Sequence, residues 1–194
     1  YKDLEKLEHY SFNKLKEEIS EFVDYYIPFN KISKFPVKDF YDSWKKIYKK
    51  QNFNFKNFVH KDFEFINLIF IKKNNHHFRC GIIDFQSAFV GFSGWDLFSV
   101  LENPRINFTR KHNEDLIKYF YDNVNISDKF ETFRRQYYIL NLGRQTRLLG
   151  RWIKIYNNGN KEFFDYIDVT KKRILSCLNN VHNETLVQIY KDFL

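Results

Sequence analysis

The chain has 194 residues, of which 43% are hydrophobic, so it is long enough to bury one substantial core. Its 20% aromatic share implies that Phe and Tyr fill much of that core. The abundance of Lys and Asn suggests coding by A+T-rich DNA, which would account for much of the net charge of +8, so this charge is weak evidence for a nucleic-acid partner.

Two other compositional features bear on the cellular setting. No run of about 18 apolar residues is present, so no membrane span or membrane partner is expected. Cys80 and Cys177 lie far apart, on a strand expected to be buried and on a helix, which argues against a disulfide framework. We therefore expect a reducing compartment, most simply the cytoplasm.

The first 59 residues predict two amphipathic helices. Residues 3–27 place apolar side chains at helical spacing, and Pro28 ends the pattern. A second helix is predicted over residues 40–48, after Pro36. Neither segment contains a glycine-rich turn between strands or a strand bearing a lysine for nucleotide phosphates.

Residues 60–67, with the sequence HKDFEFIN, contain the most informative pattern. Phosphoryl transfer needs a carboxylate that accepts the proton of the attacking hydroxyl, and oxygen ligands that hold Mg²⁺ on the nucleotide phosphates. Asp62 suits the first task and Asn67 the second, because a loop that folds back can turn one side chain toward the substrate and the other toward the metal. His60 belongs to the same catalytic group, where we expect it to brace the loop through backbone hydrogen bonds.

A short hairpin is predicted to follow this loop. Residues 68–71 predict a buried strand, 72–77 a polar turn and 78–83 the returning strand. The hairpin would bring Asp84 back beside Asn67. Two oxygen donors, completed by water and phosphate oxygens, predict Mg²⁺ and ATP as cofactors.

The remainder of the chain predicts further helices. Pro104 marks the end of a helix that begins near Asp96. The other helices are predicted over residues 108–124, 128 to about 156, 161 to about 181, and a short closing segment. Residues 157–160 predict a loop between them.

Arg144, Arg147 and Arg151 are spaced to share one face of the longest predicted helix. They could bind a carboxylate or phosphate of a substrate, since guanidinium has a forked geometry. Alternatively they form a solvated face with acidic partners. A nucleic-acid interface is a third interpretation, but no recognised motif accompanies it, so we expect no nucleic-acid partner.

The patterns at residues 60–67, 83–88 (IDFQSA) and 95–97 (WDL) together resemble those of the aminoglycoside phosphotransferase and choline kinase-like family. Gly91 falls between the last two patterns. Within that family the chain is most similar to bacterial N-acetylmuramate and N-acetylglucosamine kinases of cell-wall recycling. The resemblance implies Mg²⁺-dependent transfer of the ATP γ-phosphoryl group to a small-molecule hydroxyl, most simply that of an amino sugar.

The resemblance also implies the fold and the residue roles. The fold would be α+β and protein-kinase-like: a mainly helical C-terminal lobe with a small β-hairpin carrying the catalytic loop. Asp62 would be the catalytic base, Asn67 and Asp84 the Mg²⁺ ligands, and Asp96 an aspartate that braces the loop. Asp96 could instead be an early-helix acid favoured by the helix dipole. Glu64 stands where many members carry a second His, so it is a possible substrate contact.

By the same resemblance, residues 1–194 form one catalytic, substrate-binding lobe, and the N-terminal nucleotide-binding lobe is missing ahead of it. That lobe, ATP and a small-molecule hydroxyl acceptor are the expected partners, and the fragment alone is expected to be inactive. Two alternatives stay open. The acceptor could be an aminoglycoside or choline, or the lobe could be a non-catalytic pseudokinase that serves as a binding module.

Overall fold

The structure, a computed structural model, describes residues 4–72, 78–106 and 108–194. It is rich in helices and contains two small antiparallel sheets. The helices are α1 (Phe12–Glu21), α2 (Ile27–Phe29), α3 (Val37–Gln51), α4 (Trp95–Leu101), α5 (Arg110–Asn123), α6 (Phe130–Asn157), α7 (Ile167–Leu178) and α8 (Glu184–Phe193). The strands are β1 (Asn57–Val59), β2 (Leu68–Lys72), β3 (Phe78–Ile82) and β4 (Phe89–Gly91).

The chain divides into two compact units. Unit 1 comprises Tyr1–Tyr10 and Asn54–Asn123, and unit 2 comprises Ser11–Phe53 and Val124–Leu194. Among the described residues, no helix combines the length and the apolar character needed to cross a bilayer.

Unit 1 is organised around the pairing of β1 with β4. The two strands are antiparallel, with Phe58 opposite Val90. The N–H of Tyr10 donates to the Val90 carbonyl at 2.9 Å, so the N-terminal segment extends this pairing. The ring of Tyr10 lies 5.4 Å from that of Phe89 and 4.7 Å from that of Trp95. These aromatic rings form a buried cluster that supports the segments on either side of β1 and β4.

The predicted hairpin is confirmed as β2 and β3, which pair antiparallel with Leu68 opposite Ile82. Most of its predicted turn, residues 73–77, lies outside the described residues. The predicted burial of the strands is wrong: Phe70 is 69% exposed, and Cys80 is exposed as well. In the described chain β2 and β3 pair only with each other, and Ile69, Phe70 and Ile71, whose side chains alternate between the two faces, are each at least 45% exposed.

The first predicted helix, residues 3–27, is corrected at both ends. A short 3₁₀ turn (Leu4–Lys6) is separated from α1, which begins at Phe12 because the Ser11 hydroxyl accepts the N–H of Lys14 at 3.3 Å. The helix continues through a π-helical turn (Phe22–Tyr26) into α2, where Pro28 sits inside the first turn instead of ending the run.

Unit 2 is built around α6, whose 28 residues confirm the longest predicted helix. α6 packs against α1 and α7, and α3 packs against α8. Buried side chains occur on every side of α6, so it is a central helix and has no single apolar stripe. The helix predicted over 161–181 is shorter than expected, because a 3₁₀ turn (Phe164–Tyr166) precedes α7.

Candidate active site

The predicted catalytic loop leaves β1 and enters β2, so a strand holds each of its ends. Val59 closes β1, and a 3₁₀ turn (Phe65–Asn67) leads directly into β2. Lys61 has a φ of 75°, which turns the chain sharply just before Asp62. All the sequence-predicted residues from His60 to Asp96 belong to unit 1.

Asp96 holds the beginning of the loop with both of its carboxylate oxygens. Oδ2 accepts the N–H of His60 at 2.8 Å, and Oδ1 accepts the N–H of Lys61 at 3.0 Å. Asp96 lies in the first turn of α4, so a rigid helix carries this double acceptor. These are the contacts that the predicted bracing role requires.

The environment of Asp96 acts on its ionisation in two directions. Burial raises the pKa of Asp96 above that of an ordinary aspartate, while the two backbone N–H donors oppose the rise. The charge of His60 also lowers the pKa, and the nearby carboxylate of Asp62 raises it. The net result is a raised pKa, so its carboxylate binds a proton more tightly than an exposed one.

His60 joins the catalytic loop to the end of the hairpin. Its ring is 4% exposed, and Nε2 lies 2.9 Å from the Ile83 carbonyl. A carbonyl can only accept, so Nε2 carries the proton in this contact. The ring therefore links the loop to the end of the hairpin, and its role as a brace stays a prediction.

A side-chain bond links the predicted base to the predicted metal ligand. Nδ2 of Asn67 donates to the backbone carbonyl of Asp62 at 2.8 Å. The N–H of Glu64 donates to the same carbonyl at 2.9 Å, and the N–H of Asn67 donates to the Glu64 carbonyl at 2.9 Å. The five-residue spacing thus closes a compact turn, in which the amide orientation of Asn67 leaves Oδ1 as its remaining acceptor.

Asp84 emerges beside this turn because the pairing of the hairpin continues beyond β3. The N–H of Ile83 donates to the Asn67 carbonyl at 3.1 Å, so the next residue, Asp84, follows directly alongside the loop. Asp84 is exposed and has a φ of 69°, which bends the chain away from the strand. Nε2 of Gln86 donates to Asp84 Oδ1 at 2.7 Å and restrains the carboxylate.

The donors present fit a hard cation. The Asp84 carboxylate and the Asn67 amide oxygen are the ligand types that Mg²⁺ prefers, with water and phosphate oxygens completing the shell. In the described part of the chain, no group of three or more His, Cys, Asp or Glu side chains could hold a metal. A soft-metal site of the zinc type therefore has no support among these residues.

Sequence reasoning missed three residues of this site, which are Arg105, Ser99 and Gln86. Nη1 of Arg105 pairs with Glu64 Oε2 at 2.7 Å, across 41 residues of sequence. The buried hydroxyl of Ser99 lies 3.1 Å from the Trp95 carbonyl and 3.5 Å from that of Lys61. Ser99 follows Asp96 by three residues, so helical spacing could have indicated it. Gln86 follows Asp84 by only two residues, so its contact with Asp84 is local, whereas nothing local to Arg105 indicated its contact with Glu64.

The three arginines of α6 lie in unit 2 and do not form a solvated face. Arg144 is 2% exposed, which excludes it from an open surface stripe. Arg151 forms a two-pronged ion pair with Glu21, and Nε donates to Oε2 at 2.7 Å. This hydrogen bond raises the pKa of Arg151. Arg147 is half-buried.

Comparison with known protein families identifies one family whose model matches this chain. The model of the ecdysteroid kinase-like family matches residues 3–150, which is most of the chain and includes the whole candidate site. A search of curated proteins found no match. The matching family is kinase-like, which indicates a phosphotransferase that acts on small molecules.

Proposed function

The chain belongs to the ecdysteroid kinase-like family, and on this premise we propose that it transfers the γ-phosphoryl group of ATP to a hydroxyl of a small molecule. The observation that carries the proposal is the bond between Asn67 Nδ2 and the Asp62 carbonyl. It holds a candidate base and a candidate metal ligand in one turn. A chance occurrence of the sequence pattern would not require that contact.

In the proposed reaction, Asp62 orients the acceptor hydroxyl and receives its proton as the oxygen attacks the γ-phosphorus. The bond from the γ-phosphorus to the bridging oxygen breaks, and ADP leaves with that oxygen. Asn67 and Asp84 would hold Mg²⁺, which supplies neutralisation of phosphate charge when bound. Asp96 and His60 keep the loop in place, because such catalysis depends mainly on positioning.

For the acceptor we propose a polyhydroxylated steroid of the ecdysteroid class, since that is the substrate class in the description of the family. The family match gives no support to an amino-sugar acceptor or to cell-wall recycling. The patterns at residues 83–88 (IDFQSA) and 95–97 (WDL) suggested an amino-sugar acceptor, so amino sugars serve as comparison acceptors in the assay.

The test is transfer of labelled γ-phosphate by the full-length natural protein to a panel of acceptors. The panel contains an ecdysteroid, N-acetylglucosamine, N-acetylmuramate, choline and an aminoglycoside. Asp62→Asn preserves size and removes the base, so we expect transfer to fall by about 10²–10⁴-fold with an unchanged melting temperature. Asp84→Asn should raise the Mg²⁺ concentration needed for half-maximal rate.

The outcomes separate the alternatives. Transfer to an ecdysteroid that depends on Asp62 supports both the reaction and the acceptor class. Transfer to another panel member keeps the reaction and discards the steroid. Mg²⁺-ATP binding without transfer to any acceptor favours a binding module, and undiminished transfer by Asp62→Asn contradicts the mechanism.

A further inference from the structure

Glu64 lies at the centre of the turn that holds the candidate base and metal ligand. Its N–H donates to the Asp62 carbonyl, and its own carbonyl accepts the N–H of Asn67, both at 2.9 Å. Any displacement of Glu64 therefore moves the backbone of Asp62 and of Asn67 together. What holds the Glu64 side chain consequently bears on both residues.

Arg105 holds that side chain from a well-anchored position. Its Nη1 lies 2.7 Å from Glu64 Oε2, and its backbone N–H donates to Asn103 Oδ1 at 3.0 Å. Asn103 is only 3% exposed, and its carbonyl accepts the N–H of Ile106 at 3.0 Å. The guanidinium therefore extends from an ordered turn rather than from a loose surface segment.

Helix α4 and the turn that follows it thus contact the candidate catalytic loop at two points. Asp96, in its first turn, accepts the backbone N–H groups at the start of the loop. Arg105, in the turn that follows its last residue, pairs with Glu64 beyond the base. Asp62 lies between these two points, so α4 and the turn after it restrain the loop on both sides of Asp62.

The exposure of the pair shows what it contributes. The Arg105 side chain is 36% exposed and that of Glu64 is 23% exposed, so the pair adds little to overall stability. A restraint on geometry can still matter for rate, because a misplacement of about 1 Å can cost about 10²-fold in catalysis. The pair also engages the carboxylate of Glu64 that a substrate contact would need.

We propose that Arg105 is a positioning residue, which acts through Glu64 to keep Asp62 and Asn67 in productive geometry. This inference rests on the proposed phosphoryl transfer. It reassigns Glu64 from a possible substrate contact to the receiving end of an ion-pair clamp.

The first experiment measures kcat and KM for the full-length natural protein and for four variants of it. Three are the single substitutions Arg105→Gln, Arg105→Lys and Glu64→Gln. The fourth is the reversed pair, in which Glu64→Arg is combined with Arg105→Glu. We expect each Gln variant to lower kcat about tenfold, with both KM values changed less than about twofold. Arg105→Lys and the reversed pair should recover part of the rate, because opposite charges again face each other. Lys118→Gln breaks the exposed Lys118–Asp122 pair of α5 in the same unit and should leave kcat unchanged.

A rise in KM for the acceptor alone, or failure of the reversed pair to recover any rate, would overturn the clamp. The second experiment follows hydrogen exchange of the loop amides and needs no enzymatic activity. In Arg105→Gln the amides of Glu64 and Asn67 should exchange faster than in the unaltered protein, whereas in Lys118→Gln they should not. Unchanged exchange in Arg105→Gln contradicts the clamp, while absent transfer in the unaltered protein contradicts the proposed function alone.

Discussion

At the level of single residues, Asp96 is a largely buried carboxylate that organises a loop, and its burial makes the ionised form less favourable. Its two oxygens accept the backbone N–H groups of His60 and Lys61, and these bonds favour the charged form. Burial has the larger effect and raises the pKa of Asp96. Asp96 therefore holds the start of the candidate catalytic loop, while its burial lowers the free energy of unfolding at neutral pH.

Stability should depend on pH through Asp96 in a defined direction. A raised pKa means that the folded state binds the proton more tightly than the unfolded chain, so the contribution of Asp96 is full below about pH 4 and is lost as the pH rises through its raised pKa. Asp96→Asn removes this dependence. The melting temperature of the variant, relative to the unaltered protein, should therefore improve as the pH rises from about 4 through the raised pKa of Asp96, by about 2–4 °C for each kcal/mol of unfolding free energy.

Thermal melts across that pH range check the expectation, and a difference that stays constant with pH would contradict it. Asparagine replaces one of the two acceptor oxygens with an NH₂ donor, so in the present geometry only one of the two N–H bonds is kept. We therefore expect kcat of Asp96→Asn to fall as well, even at pH values where the variant gains relative stability.

At the level of elements, the contact of α6 with the end of α1 is unusually close. A Cβ placed on Gly150 would lie 2.2 Å from the Glu21 carbonyl oxygen and 2.5 Å from the Phe22 nitrogen. Backbone atoms cannot move aside without moving the helix that carries them. This close approach also brings Arg151 to the carboxylate of Glu21, with which it pairs.

Gly150→Ala should therefore destabilise the protein by about 1–3 kcal/mol, although alanine favours helix more than glycine does. Gly143→Ala is the matched control on the same helix. Its Cβ would meet Leu15 Cδ1 at 2.7 Å, the end of a side chain that can rotate. Chemical denaturation of both variants measures the difference, and a Gly150→Ala protein as stable as Gly143→Ala would contradict the close-packing argument.

At the level of the whole molecule, the two units are each assembled from separated stretches of sequence. Unit 2 combines Ser11–Phe53 with Val124–Leu194, so its helices α1 and α3 depend on partners that follow more than 70 residues later. The core of this unit contains the fully buried rings of Phe22, Phe40 and Tyr190. A fragment that contains only one of these two stretches therefore lacks part of this core.

A chain that ends at Asn123 should lose the structure of residues 11–53. It lacks α6, against which α1 buries Leu15 and Ile19, each no more than 1% exposed. Isolated helices of this length are marginal in water, so we expect reduced helical content and no cooperative unfolding of this region. Circular dichroism with hydrogen exchange tests this expectation. Native-like protection of α1 in the shortened chain would contradict it.

Much of the site could be predicted because its residues are close in sequence. The turn from Asp62 to Asn67 spans five residues, and an antiparallel hairpin returns the chain to Asp84 by local pairing alone. The extents of α6 and of the helix that Asp96 enters follow largely from the loop and breaker residues that flank them, and these residues also act locally. Phosphoryl-transfer chemistry restricted the roles further, since few residue types can serve as base and Mg²⁺ ligand.

The remaining features required the tertiary structure, because burial and partner choice are decided by segments distant in sequence. Pattern alone predicted buried hairpin strands, whereas Phe70 and Cys80 are exposed, because an apolar pattern does not specify whether another segment packs on the strand. Charge alone favoured a solvated face for Arg144, which the surroundings of a central helix bury instead.

The sequence by itself determined the local arrangement: a candidate base, two candidate oxygen ligands, and the turn and hairpin that carry them. Only the tertiary structure decided what holds that chemistry in place. Asp96 reaches His60 across 36 residues, and Arg105 reaches Glu64 across 41. Such contacts leave no local signal, since they depend on how the intervening chain folds back and not on the spacing of neighbouring side chains.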